Sequence, residues 1–369
     1  MDNKNILFIN SGSGWGGVEG WHYKTAIELQ NRGYNVFILA VKDKPFYKKC
    51  REVGLIVGEI KHIKNGTFMN PYRVFWLVKY LKKRKIDAIF FCQSSHFKYV
   101  SVAAKIAKIN KVIYRRALAK PINNRFYNRL FLKYCVTDLM FISKITRTES
   151  LKEISSDYLS KEKMKLIYNG VKVKDFFNPN IKTDIRREFN IKEDELIIGN
   201  IGRLCRQKAQ HYLIEALPQV LKEFNNIKVL LVGSGGKENL FRERIKELKI
   251  KDKVIFAGFR QDIPSILKQI DFMVHTAIYE GCPWVILEGM MSGVPIVATD
   301  STSLPEFIVD GETGYLAENK NPDDIAQKII KMINNQDRDK MGRRASEMAQ
   351  NEFSFKKMID DIEEKILKV

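Results

Sequence analysis

Short apolar runs that end on glycine or another small residue, each followed by helical periodicity, recur along this chain and leave few fold classes open. Lys4–Asn10 reads as a buried strand, and the stretch Ser11-Gly12-Ser13-Gly14-Trp15-Gly16-Gly17 leads into a helical pattern from Val18 to Gln30 that Gly33 stops. Val36–Val41 is a second apolar strand. Further strands are expected at Ala88–Cys92, Lys111–Tyr114 and Leu139–Ile142, with helices at Tyr72–Lys85, Tyr99–Ile109 and Arg125–Tyr134. Such alternation argues a parallel sheet covered by helices on both faces. The pattern restarts in the second half, with strands at Leu196–Asn200, Val229–Val232, Val254–Phe256, Phe272–His275 and Val294–Thr299 and helices such as His211–Phe224 and Asn239–Leu248. Between the halves, 172–195 is polar and irregular, with Asn178-Pro179-Asn180 as a turn signal. A chain of 369 residues, 45% of them hydrophobic, can bury two ordinary cores. The expectation is α/β, two doubly wound domains, with ligands held outside the carboxyl ends of the strands.

Charge is distributed unevenly. Of the net +20, residues 1–175 hold 34 Lys+Arg against 13 Asp+Glu, while 176–369 hold 29 against 30. The first half therefore suits an anionic partner, whether nucleic acid, an acidic lipid surface or a phosphorylated substrate, unless the lysines are only solvated faces. Base-stacking aromatics on a basic sheet and a recognition helix are both missing, so no nucleic acid is expected. Residues 72–85 and 125–133 are aromatic, amphipathic and basic, as for a helix resting on an anionic membrane, although such helices also simply cover sheets. No apolar run reaches the ~18 residues of a membrane span, and Met1-Asp2-Asn3-Lys4 enters the first strand without a secretory h-region. A cytoplasmic protein is expected, peripheral on the inner face of the plasma membrane where it adheres. The five cysteines are scattered and without Cys-x-x-Cys spacing, so neither disulfides nor a metal site is indicated.

The chemistry-bearing residues gather at strand ends of the second half. Glu280 precedes a helix start marked by Pro283, and Glu288 follows about two turns in, roughly 10 Å further along at ~1.5 Å per residue. Two carboxylates so placed can accept hydrogen bonds from the sugars of a ligand whose phosphates face the helix N-terminus between them. Arg203 and Lys208 sit in the loop after Leu196–Asn200 and just before a helix, where cations do not complement the dipole; they are candidates to clamp a pyrophosphate. Leu231-Val232-Gly233-Ser234-Gly235-Gly236 is a second glycine-rich strand end. In the first half, Gly12–Gly17 satisfies G-x-G-x-x-G, with Asp43 beyond the second strand, so a nicotinamide-dependent oxidoreductase is an alternative. Trp15 would crowd a pyrophosphate there. A non-catalytic basic membrane binder is another alternative.

Taken in order, Ile201-Gly202-Arg203…Lys208, Leu230-Leu231-Val232-Gly233-Ser234-Gly235, Val254-Ile255-Phe256-Ala257-Gly258-Phe259, Tyr279-Glu280-Gly281-Cys282-Pro283…Leu287-Glu288 and Gly293-Val294-Pro295-Ile296-Val297-Ala298-Thr299 resemble the GT-B retaining glycosyltransferases of family 4, the glycosyl transferases group 1. Glu306, Gly311-Glu312-Thr313-Gly314-Tyr315, Tyr168-Asn169-Gly170-Val171 and Gly16-Gly17-Val18-Glu19 extend the resemblance over nearly the whole chain. It implies two Rossmann-like domains facing across a cleft: an acceptor domain over 1–171, a linker over 172–195 and a nucleotide-sugar domain over 196–352, with a last helix, 353–369, packing back on the first. It implies a metal-independent hexosyltransferase that moves a sugar from a UDP- or GDP-linked donor, with retention, to a glycan, lipid-linked or phosphorylated acceptor, as in bacterial cell-envelope polysaccharide or lipopolysaccharide synthesis. No other cofactor is implied. Carried over by position, Arg203 and Lys208 would hold the diphosphate, Glu288 the ribose and Glu280 the transferred sugar. The backbone at Gly281, Cys282 and Pro283, together with Gly233 and Phe259, would line the donor site, and Gly16 and Gly17 would let a loop approach its phosphates. Three positions depart from the pattern. Ala209 replaces a glycine, Lys172 an aspartate, and Arg115-Arg116 stand where relatives often place a histidine beside the sugar. Glu19, His96, Arg115 and Arg116 are thus candidate sugar or acceptor contacts.

Overall fold

The apolar runs form two parallel sheets, because strands buried on both faces need no polar alternation and are joined by helical crossovers. The computed structural model describes residues 4–177, 179, 181 and 183–368, with Ser156 by its backbone alone. Residues Asn178 and Asn180 of the expected turn, Met1–Asn3 and Val369 lie outside the described residues. The chain divides into two units: one runs to Tyr168 and takes in the residues from Met358 onward, the other spans Asn169–Lys357.

In the first unit, β1 (Asn5–Asn10), β2 (Asn35–Ala40), β3 (Ile56–Glu59), β4 (Ala88–Phe91), β5 (Lys111–Arg116), β6 (Asp138–Phe141) and β7 (Met164–Leu166) are ordered β3-β2-β1-β4-β5-β6-β7. In the second, β8 (Leu196–Ile201), β9 (Ile227–Val232), β10 (Val254–Gly258), β11 (Phe272–His275), β12 (Ile296–Thr299) and β13 (Tyr315–Ala317) are ordered β10-β9-β8-β11-β12-β13. Every pairing is parallel, with in-register ladders such as Asn5–Asn10 against Asn35–Ala40 and Leu196–Ile201 against Ile227–Val232. Each order reverses direction beside its first strand, β1 or β8, which is where an open α/β sheet leaves a crevice. Leu7, Ile9, Ile89 and Phe91 pack with Leu77, Leu81 and Val100 in one core; Ile198, Val229, Leu231 and Phe272 pack with Leu213, Leu217 and Ile329 in the other.

Several elements differ from the sequence expectation, each for a local reason. The edge strands β3 and β7 are only partly buried and lack a continuous apolar run. The helix expected from Tyr99 begins at Ser94, since its polar first turn contains the fully buried His96. Pro283 is the N-cap of helix Trp284–Met291 rather than its first residue. Within 172–195 lie two short helices, Val173–Phe176 and Ile185–Phe189, the second capped by Asp184, whose Oδ1 accepts the Arg187 N–H at 3.1 Å. The last helix, Phe355–Ile362, widens into a π-turn over Glu363–Leu367. It is fastened within the first unit by Trp21 Nε1 donating to Met358 Sδ at 3.3 Å and by Arg32 Nη1 on Asp360 at 2.7 Å and Glu363 at 2.6 Å. Among the described residues no helix is long and apolar enough to cross a membrane.

Candidate active site

The loops after β8, β9 and β10 are stitched together by backbone hydrogen bonds. Gly202 N–H donates to Val232 O at 2.8 Å, Gly233 N–H to Gly258 O at 2.7 Å, and Leu204 N–H to Ser234 O at 3.0 Å. The approach is close enough to require glycine. Gly233 has φ +140°, and a Cβ on it would lie 2.1 Å from the Gly202 carbonyl oxygen. A Cβ on Gly235 would lie 2.2 Å from Leu204 O. These contacts fix where Arg203 leaves the sheet, with its side chain exposed.

The loop from Arg203 to Ala209 is then laced to the segment after β11. Ile278 N–H donates to Gln207 O at 3.0 Å, Gln207 Nε2 to Tyr279 O at 3.1 Å, and Thr276 Oγ1 to Lys208 O at 3.1 Å. Ala209 takes the left-handed conformation, φ +51°, as the N-cap of helix Gln210–Glu223. That backbone is one glycine adopts without strain, and here alanine is held in it.

This lacing delivers Lys208 Nζ to Glu280 Oε1 at 2.5 Å, and His275 Nε2, at the end of β11, to the same oxygen at 3.3 Å. Glu280 is 7% exposed. Burial alone would raise its pKa, but the hydrogen bond from His275 and the charge of Lys208 outweigh it, holding the carboxyl down at about 2. Burial, together with Lys208, lowers the pKa of His275, so the ring is neutral; facing an acceptor-only carboxylate, it carries its proton on Nε2. The Glu280 backbone is clamped as well, its N–H donating to Thr302 Oγ1 at 2.7 Å while that hydroxyl donates to Glu280 O at 2.9 Å. Thr302 has φ +43°, strain that a β-branched residue tolerates only where its surroundings impose it. Thr299 Oγ1 and Ser301 Oγ both donate to Ala277 O, at 2.7 and 2.6 Å, holding the same turn from below.

Of the other second-unit candidates, Gly281 is half-buried, and Cys282 and Pro283 are buried at the start of helix Trp284–Met291. Asn169 Nδ2 donates to Cys282 O at 3.2 Å, which ties the Asn-Gly-Val motif to this turn. Glu288 is half-buried in the same helix, and Phe259 is 73% exposed just beyond β10. His275, Thr302 and Asn169 were not among the expected site residues. The signal for His275 was a lone polar residue closing the apolar strand Phe272–His275. Thr302 gave none, because its role depends on its backbone conformation.

The first-unit candidates occupy separate places. Gly16 and Gly17 are exposed at the start of helix Gly17–Asn31, in whose first turn Glu19 is buried and accepts from Asn10 Nδ2 at 3.1 Å. His96 lies in the first turn of helix Ser94–Ala107 rather than on a strand end. Its Nε2 meets Ser11 Oγ at 2.7 Å, and burial pushes its pKa down to about 3. Arg115 and Arg116 diverge, since neighbours on a strand face opposite sides. Arg115 is 2% exposed, stacked 4.2 Å from the Trp21 ring with Nη1 towards Cys92 Sγ, whereas Arg116 bonds Tyr114 OH and Ser150 Oγ on the other face. Among the described residues no group of three or more His, Cys, Asp or Glu is arranged to hold a metal ion.

Two Rossmann-like parallel sheets of seven and six strands place the chain in the α/β GT-B class. Residues 181–351, which contain Arg203 and the cluster of Lys208, His275 and Glu280, match the family model for glycosyl transferases group 1. The chain is 34% identical over 196 residues to an uncharacterized glycosyltransferase, MJ1607, of Methanocaldococcus jannaschii, covering 51% of this chain and 50% of that one. It thus spans about half the length of that relative. It is 24% identical over 304 residues to the UDP-Gal:alpha-D-GlcNAc-diphosphoundecaprenol alpha-1,3-galactosyltransferase of Escherichia coli, covering 78% and 77%. The fold is similar to that of Anabaena Alr3699/HepE, solved with UDP and glucose, at TM-score 0.83 and 21% identity over 99% of this chain and 100% of that one.

Proposed function

We propose that the chain is a glycosyltransferase whose second unit binds a nucleotide sugar and whose first unit binds the acceptor. The carrying observation is the buried Lys208–Glu280–His275 cluster at the carboxyl ends of β8 and β11, inside the stretch that matches glycosyl transferases group 1. Arg203 and Lys208 hold the diphosphate and stabilise the charge that builds on it as the glycosidic bond breaks. Without a ligand, Lys208 is committed to Glu280. A diphosphate competes for that ammonium, and Glu280, its carboxylate still bonded by His275 and its backbone held by Thr302, accepts hydroxyl hydrogen bonds from the transferred sugar. Glu288 takes the ribose hydroxyls. The donor is UDP- or GDP-linked, no other cofactor is needed, and transfer proceeds with retention and without metal; the resemblance of the ordered motifs supports these points. The oxidoreductase alternative is not favoured, since it assigns no role to the second-unit cluster. The test is to incubate the protein in EDTA with the nucleotide sugar that most raises its melting temperature. The anomeric configuration of the product is then read by NMR. A retained anomer in EDTA is expected; an inverted product, or loss of transfer in EDTA, refutes the corresponding part.

The acceptor is a glycan, lipid-linked or phosphorylated, and the Escherichia coli relative, by its name, acts on a diphosphoundecaprenol-linked sugar. The first unit offers aromatic surface for it. A cavity of about 720 Å³ is walled by Lys42, His62, Arg73, Trp76 and Tyr99. Next to it helix Pro71–Lys83 exposes Tyr72 (85%) and Phe75 (69%) along with Lys79, Lys82 and Lys83, and helix Phe126–Tyr134 exposes Phe126 and Leu130 beside Lys133. Exposed aromatics with lysines and no acid on either helix suit an anionic lipid surface, which supports a peripheral position on the inner face of the membrane. Cosedimentation with vesicles holding acidic lipid is expected at moderate salt, at least several-fold above neutral vesicles. Replacement of Tyr72 and Phe75 by serine is expected to abolish the difference; equal sedimentation of wild type with both vesicles contradicts the membrane placement.

A further inference from the structure

Arg116 closes β5 with 6% of its surface exposed, and no carboxylate among the described residues pairs with it. Its Nε donates to Ser150 Oγ at 3.1 Å, Nη1 to Tyr114 OH at 2.7 Å and Nη2 to the Lys120 carbonyl, which uses three of the five guanidinium N–H groups. Neutral oxygens fix the side chain's direction but do not offset the cost of taking a full charge out of water. A counter-charge is missing.

The space for one lies alongside. A cavity of about 320 Å³ is lined by Arg116, Tyr114, Ser94, Lys98, Arg125 and Tyr127 among others, and no Asp or Glu contributes to its wall. Lys98 Nζ sits 4.4 Å from the Tyr127 ring, and Arg125 Nη1 donates to Tyr127 OH at 2.8 Å, so both outer cations are steered by one aromatic residue. Tyr114 OH donates in turn to Ser94 Oγ at 3.2 Å. Three cations, one of them buried and preset by its own hydrogen bonds, together with hydroxyl donors, match an oxyanion with several acceptor oxygens. Arginine supplies two parallel N–H groups for it and lysine a point charge. The volume fits a phosphate or diphosphate with part of its carrier and is small for a nucleotide.

We propose that this cavity binds the phosphoryl oxyanion of a phosphorylated acceptor. That the anion belongs to an acceptor rests on the glycosyltransferase reading; the anion site does not. The same chemistry is offered by a soluble sugar phosphate and by a lipid-linked diphosphate.

The test is calorimetric titration of the full chain with pyrophosphate in a Lys208→Ala background, which removes the second-unit cation as a competing site. Pyrophosphate is expected to bind, and Lys98→Ala with Arg125→Ala in that background to weaken it at least tenfold, the effect of losing charge-assisted hydrogen bonds. Both positions are outside the core, and unchanged circular dichroism checks the fold. Arg116→Lys, which keeps the charge but loses the fork, is expected to weaken binding severalfold. Parallel titrations with glucose 1-phosphate and with micellar geranyl diphosphate identify the source, as the carrier whose affinity falls in the double variant. No pyrophosphate binding in the parent, or equal affinity in parent and double variant, overturns the proposal. Neither arm reads sugar transfer, so a failed transfer assay leaves the site standing, and loss of the site leaves nucleotide binding unchanged.

Discussion

Glu280→Ala is expected to slow sugar transfer by roughly 10²–10³-fold, the ~3 kcal/mol that one lost transition-state contact typically costs. The residue is buried and ionised, its carboxylate on Lys208 and His275 and its backbone on Thr302, so it is already charged and positioned when a diphosphate draws Lys208 away. Removing it frees Lys208 from its ion pair, so nucleotide diphosphate affinity is expected to stay within about tenfold of wild type while turnover collapses. Lys208→Ala is expected to reduce both, since the clamp itself is lost. Turnover on the best donor, measured beside thermal denaturation, separates chemistry from folding; activity within about tenfold of wild type in both variants refutes the roles.

Gly233→Ala has the second large expected effect, and it acts through backbone. The added Cβ would sit 2.1 Å from the Gly202 carbonyl oxygen, and φ +140° is unsuited to an L side chain. Neither strand end can yield without breaking the hydrogen bonds from Gly202 to Val232 and from Gly233 to Gly258. Destabilisation of about 2–4 kcal/mol is expected, in the range of strongly strained backbone sites, with loss of nucleotide binding because Arg203 follows Gly202 directly. Gly236→Ala is the matched control. A Cβ there meets nothing within 4 Å, and urea denaturation is expected to show a change within about 0.5 kcal/mol. Equal stability of the two variants would mean that the glycine turn does not set the loop.

The sequence made the central strands and the candidate residues at their ends visible for the same reason. A buried parallel strand is a bare apolar run, and the glycines that close it, such as Gly202 and Gly233, break that run abruptly. The edge strands β3 and β7 carry no such contrast, so neither was legible. Arg203, Lys208 and Glu280 could be picked out as charges at helix-opening loops. Their pairing could not, because the contact of Lys208 with Glu280 spans 72 residues and depends on the lacing of Gln207 to Tyr279. Adjacent Arg115 and Arg116 read as one feature, whereas strand alternation sends one into the core under Trp21 and the other to a cavity edge. The missing carboxylate beside Arg116 is a fact of three-dimensional surroundings that no spacing reports.

Nucleotide diphosphate titration tests whether the second unit holds the donor site. UDP or GDP is expected to bind wild-type protein in calorimetry, to bind Glu280→Ala within about tenfold of that affinity, and to lose at least tenfold on Lys208→Ala. Failure of both nucleotides to bind the folded wild type, or equal affinity for wild type and Lys208→Ala, would contradict it.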